Sequence, residues 1–173
     1  VFLDWPVYRG EHTLRAIAER IVREAGITQG SVVIGHSLGG MVACEIAKLR
    51  DLKALGLISS ALQKEEVSRL FKVLHPLAAI TPFRFAQAFV QSLPGDLYKM
   101  FVRSDPDFIR ATCKAIFTWE GLKGRPAPVS RIHGRHDWVI PLPDGVEQVV
   151  EGGHVLPITH PRECVEFIRT ILR

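Results

Sequence analysis

One stretch of this chain decides its fold: Val32-Val33-Ile34-Gly35-His36-Ser37-Leu38-Gly39-Gly40-Met41. It opens on β-branched apolar residues, which favour a buried strand. It then passes through a glycine-rich turn into residues 41–49, whose composition favours a helix. The turn matches the pattern G-x-S-x-G, in which glycines two positions before and after the serine leave room for neighbouring backbone. The sequence therefore predicts that Ser37 lies on a sharp strand-to-helix turn with its hydroxyl exposed.

The residues on both sides of this stretch predict further strands and helices. Residues 12–25 carry apolar side chains at helical spacing, and residues 1–3 and 55–58 read as short apolar strands. Strand patterns return at 129–133 and 146–150, and an amphipathic helix is expected over 161–172. Alternating strands and helices favour parallel pairing, and uniformly apolar strands are expected where helices cover both faces of a sheet. We expect an α/β fold with a mainly parallel sheet of about five strands flanked by helices.

Residues 63–123 differ from the rest of the chain because they contain no strand pattern. They predict short helices at 64–74, 83–93, 97–102 and 106–119, the last of which begins with Asp105 as its cap and Pro106 at its first position. We divide the chain into a core, residues 1–62 and 124–173, and a helical cap, residues 63–123. Most of the phenylalanines lie in the cap, where they serve either ordinary helix packing or an apolar pocket. The candidates for substrate contact are Phe71, Phe85, Phe89, Phe117 and Trp119.

Composition excludes several classes of protein. The 173 residues are 47% hydrophobic and 23% charged, as in an ordinary globular domain, and the net charge of +4 is scattered rather than gathered in a basic stripe. A nucleic-acid partner is therefore not expected. The cysteines Cys44, Cys113 and Cys164 are far apart, which disfavours a disulfide framework or a zinc site and indicates a reducing, cytoplasmic location. No apolar run approaches the ~18 residues that span a bilayer.

The first residues do not resemble a signal peptide, because they have no basic leader and no long apolar stretch. The chain opens on Val1 rather than on methionine, and it opens inside an apolar run. We therefore expect the natural protein to begin upstream of this residue.

Ser37 needs a general base, and a buried carboxylate should orient that base. Among seven histidines, His154 follows a predicted strand and two glycines, and Asp137 follows the strand over 129–133. Because the carboxyl ends of parallel strands meet at one edge of a sheet, we expect Ser37 as nucleophile, His154 as base and Asp137 as acid to converge there. Asp144 is the alternative acid. His36 is better placed to support the turn or to face the pocket than to act as the base.

An oxyanion that forms beside Ser37 would need hydrogen-bond donors. The helix after the turn begins next to the serine, so its free amides and the positive end of its dipole face the reacting group. The backbone N–H of Leu38 is the first donor we expect.

Three segments together resemble the α/β-hydrolase superfamily, in its serine carboxylesterase-like and lipase-like branch. They are residues 34–41, His133-Gly134-x-x-Asp137-x-x-Ile140-Pro141, and Gly152-Gly153-His154. The resemblance implies a helical cap and hydrolysis of a carboxylic ester or thioester through an acyl-enzyme on Ser37. It also implies a small-molecule substrate with apolar groups and no metal or organic cofactor. Cofactor-free haloperoxidases and C–C bond hydrolases share such turns and stay open, whereas a serine disfavours the haloalkane dehalogenases, which carry an Asp nucleophile.

The chain departs from the family pattern before Ser37. Members normally have a strand ending in a His-Gly motif, whose loop supplies the second oxyanion donor, and nothing similar precedes this serine. One expectation is that residues 1–3 pair with residues 31–34, which would bring the amide of Trp5 or Val7 towards the site. A second is that the strand over 31–34 pairs with a second copy in a homodimer, and a third is that the chain is a fragment. The competing interpretation of function is a non-catalytic or weakly active hydrolase-derived protein without a complete oxyanion hole.

Overall fold

The computed structural model describes residues 1–67, 105–124 and 126–173. Its elements in chain order are α1 (Leu14–Glu24), β1 (Val32–His36), α2 (Leu38–Leu49), β2 (Ala54–Ile58), α3 (Pro106–Thr118), β3 (Val129–Gly134), β4 (Gln148–Val150), α4 (Leu156–Thr159) and α5 (Pro161–Ile171). The helices predicted over 83–93 and 97–102 lie outside the described residues, as does most of the one over 64–74, whose first residues form a turn. Within the described ranges, no helix is long and apolar enough to cross a lipid bilayer.

The four strands of the described residues form one parallel sheet in the order β1-β2-β3-β4. The expected α/β fold with a mainly parallel sheet is confirmed, with four strands in place of about five. Register places His36 beside Ile58, and Ile58 beside Ile132, so the carboxyl ends of β1, β2 and β3 lie at one edge. The connection from β3 to β4 contains no helix, and β4 is shorter than the strand predicted over 146–150.

Alternate residues of β2 pack against helices on opposite faces of the sheet. Leu55 and Leu57 are fully buried in the larger core cluster, which also contains residues of α1, α2 and α3. Ile58 faces the second cluster, which α5 covers. Gly56 lies on that face too, where an added Cβ would come within 2.8 Å of the Ile171 side chain. The period-2 alternation of the strand therefore produces a three-layer arrangement of helices, sheet and helix.

The strand expected over residues 1–3 is wrong, and so is its pairing with residues 31–34. Residues 1–13 contain no strand, Val1 and Phe2 are fully exposed, and β1 ends the described sheet. The segment packs elsewhere, because the buried guanidinium of Arg20 donates to the Val7 carbonyl at 2.5 Å and to Glu11 at 2.7 Å. These charge-assisted contacts hold the segment against α1, whereas a three-residue strand would gain only a few ladder hydrogen bonds.

Candidate active site

Ser37 occupies a strained turn between β1 and α2. Its φ of 52° and ψ of −123° lie outside the regions that side-chain-bearing residues prefer. The turn is fixed by hydrogen bonds to the backbone N–H and to the carbonyl of Ser37. The Ser37 N–H donates to the Ile58 carbonyl at 3.0 Å, and its own carbonyl accepts from the Ser60 hydroxyl at 2.7 Å and the Gly40 N–H at 3.0 Å. The backbone after β2 therefore braces the serine in its unusual conformation.

Two glycines of the turn are required by lack of space. A Cβ on Gly35 would lie 2.3 Å from the Gly39 carbonyl oxygen, and one on Gly40 would lie 2.3 Å from the Ser60 hydroxyl. A Cβ on Gly39, by contrast, would meet nothing within 4 Å. The structure thus corrects the sequence interpretation, because the close approach after the serine occurs at Gly40 rather than at Gly39.

The three residues predicted to converge lie together at the carboxyl edge of the sheet. The His154 Nε2 is 2.7 Å from the Ser37 hydroxyl, and its Nδ1 is 2.8 Å from Asp137 Oδ2. Asp137 and His154 are buried and Ser37 is half-buried. The loops after β3 and β4 approach closely, since a Cβ on Gly134 would lie 2.4 Å from the Gly153 carbonyl oxygen. Asp144, the alternative acid, is exposed on the connecting loop.

The carboxylate of Asp137 is contacted by four nitrogen donors. Its Oδ1 takes the N–H groups of Val139 and Ile140 at 2.9 Å each, and its Oδ2 takes His154 and, at 3.2 Å, the Nε2 of His133. Burial alone would raise the pKa of this carboxyl. The hydrogen bonds from His133 and His154, the charge of His154 and the Ile140 N–H outweigh burial and hold the pKa well below its ordinary value. Asp137 is therefore an anion at neutral pH.

His36 supports the loop that carries His154. Its Nε2 lies 2.9 Å from the His154 carbonyl oxygen, and the two imidazole rings are 5.3 Å apart. Burial lowers the pKa of His36 to about 4, so its ring is neutral at neutral pH. Because a carbonyl oxygen only accepts, the proton of the neutral ring lies on Nε2. With this proton donated to the His154 carbonyl, His36 supports the loop that carries His154, and its exclusion as the base stays a prediction.

The sequence interpretation missed two residues that contact the site. The sequence interpretation gave His133 no role in the site, yet its Nε2 lies 3.2 Å from the carboxylate oxygen that His154 also contacts. Its position four residues before Asp137 was a usable signal, because the two flank one tight loop. Ser60 was not singled out at all. Nothing local marks it, since its role depends on β2 lying beside β1.

The candidate oxyanion donors fall into two groups. Leu38 is the first residue of α2, so its N–H has no intrahelical acceptor and lies next to Ser37. Of the candidate second donors, Trp5 packs its ring against Phe108 in a tilted arrangement with centroids 5.4 Å apart, and Val7 accepts a hydrogen bond from Arg20 at its carbonyl. The role of the Trp5 or Val7 amide as the second donor stays a prediction.

The aromatic substrate candidates are placed only in part. Phe71, Phe85 and Phe89 lie outside the described residues. Phe117 lies on α3 and is partly exposed, whereas Trp119 is buried in the main core and donates its indole N–H to Glu45 at 2.8 Å. Contact between these residues and a substrate stays a prediction. In the described part of the chain, no group of three or more His, Cys, Asp or Glu side chains is arranged to hold a metal ion.

Residues 1–167 match the alpha/beta hydrolase family. The chain therefore belongs to that family, as the three sequence segments and the parallel sheet with its serine turn had indicated. None of the curated proteins compared with the sequence matches it.

Solved structures with similar folds include several esterases. A thermophilic esterase from Thermogutta terrifontis has a TM-score of 0.66 and 20% identity, and the match covers 97% of this chain and 75% of that one. A lipase-esterase related protein from Clostridium acetobutylicum has a TM-score of 0.68 and 14% identity, covering 95% and 78%. A bromoperoxidase from Bacillus anthracis has a TM-score of 0.61 and 13% identity, covering 91% and 72%. At these identities the similarity concerns the fold.

Proposed function

We propose that this chain is a serine hydrolase that cleaves a carboxylic ester or thioester through an acyl-enzyme on Ser37. The observation that carries the proposal is the pair of hydrogen bonds made by His154, with Nε2 at 2.7 Å from Ser37 Oγ and Nδ1 at 2.8 Å from Asp137. A base within hydrogen-bond reach of a hydroxyl, oriented from behind by a carboxylate, is the arrangement that activates a serine.

In the acylation step, Ser37 Oγ attacks the carbonyl carbon while His154 Nε2 takes its proton. The imidazolium that forms is stabilised by the anionic carboxylate of Asp137, which holds the Nδ1 proton. The N–H of Leu38 donates to the developing oxyanion. His154 then gives its proton to the leaving alcohol or thiol, and the acyl group stays on Ser37 as an ester.

In the deacylation step, water replaces the leaving group. His154 takes a proton from the water, the hydroxide attacks the acyl carbon, and the collapse of the tetrahedral intermediate releases the acid and restores the Ser37 hydroxyl. Every proton is taken up and returned by His154, so this sequence needs no cofactor.

The substrate is a small molecule whose acyl or alcohol part is apolar. The aromatic side chains of the cap support this preference, because they are the candidates for substrate contact: Phe71, Phe85, Phe89, Phe117 and Trp119. Several similar folds are esterases by their descriptions, which agrees with an ester substrate. A panel of p-nitrophenyl esters tests the preference, since apolar acyl chains should be hydrolysed faster than charged ones.

The experiment that tests the function combines a fluorophosphonate probe with p-nitrophenyl acetate hydrolysis. We expect the wild-type protein to be labelled and active. Ser37→Ala should abolish labelling and lower kcat by about 10³-fold or more. Ser31→Ala, a change to another serine at the amino end of β1, is the matched control and should retain both signals. Equal labelling of wild type and Ser37→Ala would refute the proposal.

A weakly active or non-catalytic protein is the second candidate function. It is favoured by the position of β1 at the end of the described sheet, because the strand whose loop normally supplies the second donor does not pair with β1 there. Loss of one oxyanion donor costs about 10²–10³-fold in kcat. Labelling of Ser37 with ester turnover reduced by that factor would support the weakly active form, whereas absence of labelling would support the non-catalytic one.

A further inference from the structure

His133 is a buried titratable residue that the proposed mechanism does not use. It lies near the end of β3, four residues before Asp137, and is 1% exposed. Its Nε2 is 2.8 Å from the Ile140 carbonyl oxygen and 3.2 Å from Asp137 Oδ2. Both neighbours are hydrogen-bond acceptors, so Nε2 must carry a proton that points between them.

Asp137 Oδ2 therefore lies against two ring nitrogens, His154 Nδ1, with which it forms a full hydrogen bond, and His133 Nε2, whose N–H is shared with the nearer Ile140 carbonyl. The shorter contact, at 2.8 Å, comes from His154 and the longer from His133. The Val139 and Ile140 amides already fix Oδ1, so they set the orientation of the carboxylate without His133. The contribution that remains for His133 is electrostatic, because a second donor on Oδ2 takes part of the negative charge that would otherwise face His154.

We propose that His133 is a positioning residue that shares the Asp137 carboxylate with His154 and so moderates how strongly Asp137 stabilises the imidazolium form of His154. The inference rests on the proposed function for its kinetic consequence, but the shared carboxylate itself can be tested without turnover. A base held too strongly in its protonated form is a poor proton acceptor near neutral pH. Sharing the carboxylate keeps His154 available as a base.

The other titratable and charged groups near this carboxylate lie on neighbouring elements. His36, at the end of β1, contacts the His154 carbonyl and is neutral. Arg131, on β3, is bonded to Glu66, and its backbone N–H donates to Glu147. In the described residues, neither Arg131 nor these glutamates forms an ion pair with Asp137. The two donors on Oδ2 are therefore His154 and His133.

Nitrogen-15 NMR of the wild-type protein tests the geometry first. The expected result is a protonated Nε2 on His133, together with a downfield proton resonance from His154 Nδ1–H. A His133 ring protonated on Nδ1 alone would overturn the proposal, because that ring could not donate to Asp137. This measurement requires neither activity nor a variant.

Two substitutions test the electrostatic consequence. His133→Leu removes the donor, whereas His133→Gln keeps an N–H near the position of Nε2 and is the matched control. In His133→Leu we expect the His154 Nδ1–H resonance to move further downfield and the acidic limb of the kcat/KM profile to move up by about half to one pH unit, with KM unchanged. His133→Gln should restore both to the wild-type values.

A purely structural role predicts a different outcome. His133→Leu would then lower the melting temperature but leave the resonance and the acidic limb where they are, and that result would overturn the inference. If His133→Leu does not fold, His133→Met, which also removes the donor but has a longer and more flexible side chain, replaces it in both measurements with the same two opposing outcomes. Failure of Ser37 labelling would instead refute the proposed function, and the NMR result would stand apart from it.

Discussion

The sheet has two contrasting edges, the carboxyl edge that carries Ser37 and the lateral edge formed by β1. At the carboxyl edge, Ser37, Asp137 and His154 are linked to one another and to the loops behind them by hydrogen bonds. At the lateral edge, the N–H and C=O groups of Val32, Ile34 and His36 point away from β2. This direction follows from the alternation along a parallel strand, because Ser31 and Ser37 bond to β2.

The contrast teaches how differently short-range and long-range constraints act in this chain. The residues of the carboxyl edge are held by contacts that begin within a few positions of each functional side chain, such as the amides of Val139 and Ile140 on Asp137. The lateral edge depends on a strand that must come from a distant part of a chain or from another chain. Short-range constraints can be predicted from local sequence motifs, whereas the long-range pairing of the lateral edge cannot.

The largest effect on kcat is expected from removing the negative charge of Asp137 at the carboxyl edge. Asp137→Asn removes the anion behind His154 and replaces an acceptor by an amide, so kcat for ester hydrolysis should fall by about 10⁴-fold. The matched control is Asp144→Asn, which changes an exposed carboxylate on the same connecting loop and should leave kcat within about twofold of wild type. The measurement is steady-state kinetics, and a large loss in Asp144→Asn would transfer the acid role to that residue.

The next effect concerns the space inside the serine turn. Gly35→Ala forces a Cβ to within 2.3 Å of the Gly39 carbonyl oxygen, and backbone cannot move aside without opening the turn. We expect the free energy of unfolding to fall by about 3 kcal/mol or more. Gly39→Ala, in the same turn, meets nothing within 4 Å and should cost little. Urea unfolding of both variants provides the comparison. Equal destabilisation would show that lack of space is not the reason why position 35 requires glycine.

Much of the fold and of the site geometry could be predicted because it depends on local pattern. The strand, turn and helix around Ser37 are contiguous, and Asp137 and His154 each follow a strand directly. Parallel pairing then brings the three to one edge without further information. The expected α/β class rested on the same reasoning, since alternating apolar strands and helices leave few other arrangements.

The remaining features could not be predicted because they depend on distant partners. Residues 1–3 have strand-like composition, but strand preference reflects packing against a neighbour, and Arg20 binds this segment to α1 instead. Ser60 contacts the Ser37 carbonyl only because β1 and β2 are adjacent. The requirement for Gly40 rather than Gly39 has the same origin, since the atom that would clash belongs to Ser60.

A smaller effect, which depends on pH, is expected at His36. Burial lowers the pKa of this histidine from 6.5 to about 4 in the folded protein. The His36 imidazole therefore binds a proton below about pH 6.5 in the unfolded chain, but only below about pH 4 in the folded protein. This contribution to stability is fully present above pH 6.5 and declines as the pH falls through that window, by about 2–3 kcal/mol between pH 6.5 and 4.5.

The variant that tests this dependence is His36→Gln, which cannot titrate but keeps an N–H donor for the His154 carbonyl. We expect its unfolding free energy to fall less than that of the wild type between pH 6.5 and 4.5. His12→Gln changes an exposed histidine before α1 and should retain the wild-type slope. The carboxyl of Asp137 titrates below this window because its pKa is lowered, so the two contributions separate. Identical slopes in wild type and His36→Gln would contradict the prediction.

The smallest effect is expected at the lateral edge, where we propose weak pairing of β1 with a second copy of the chain. An edge strand with free N–H and C=O groups is a template for another strand. The strand has five residues, so the interface is small and the dimer should form only at high protein concentration.

Sedimentation velocity should show a 19.3 kDa monomer on dilution and a species of twice that mass on concentration. Val32→Pro removes an outward N–H and should abolish the dimer, whereas Val32→Ala loses similar packing but keeps the N–H and should still associate. A monomer at every concentration would refute homodimer pairing. The carboxyl edge would then be fully hydrogen-bonded while β1 stays unpaired by a second copy.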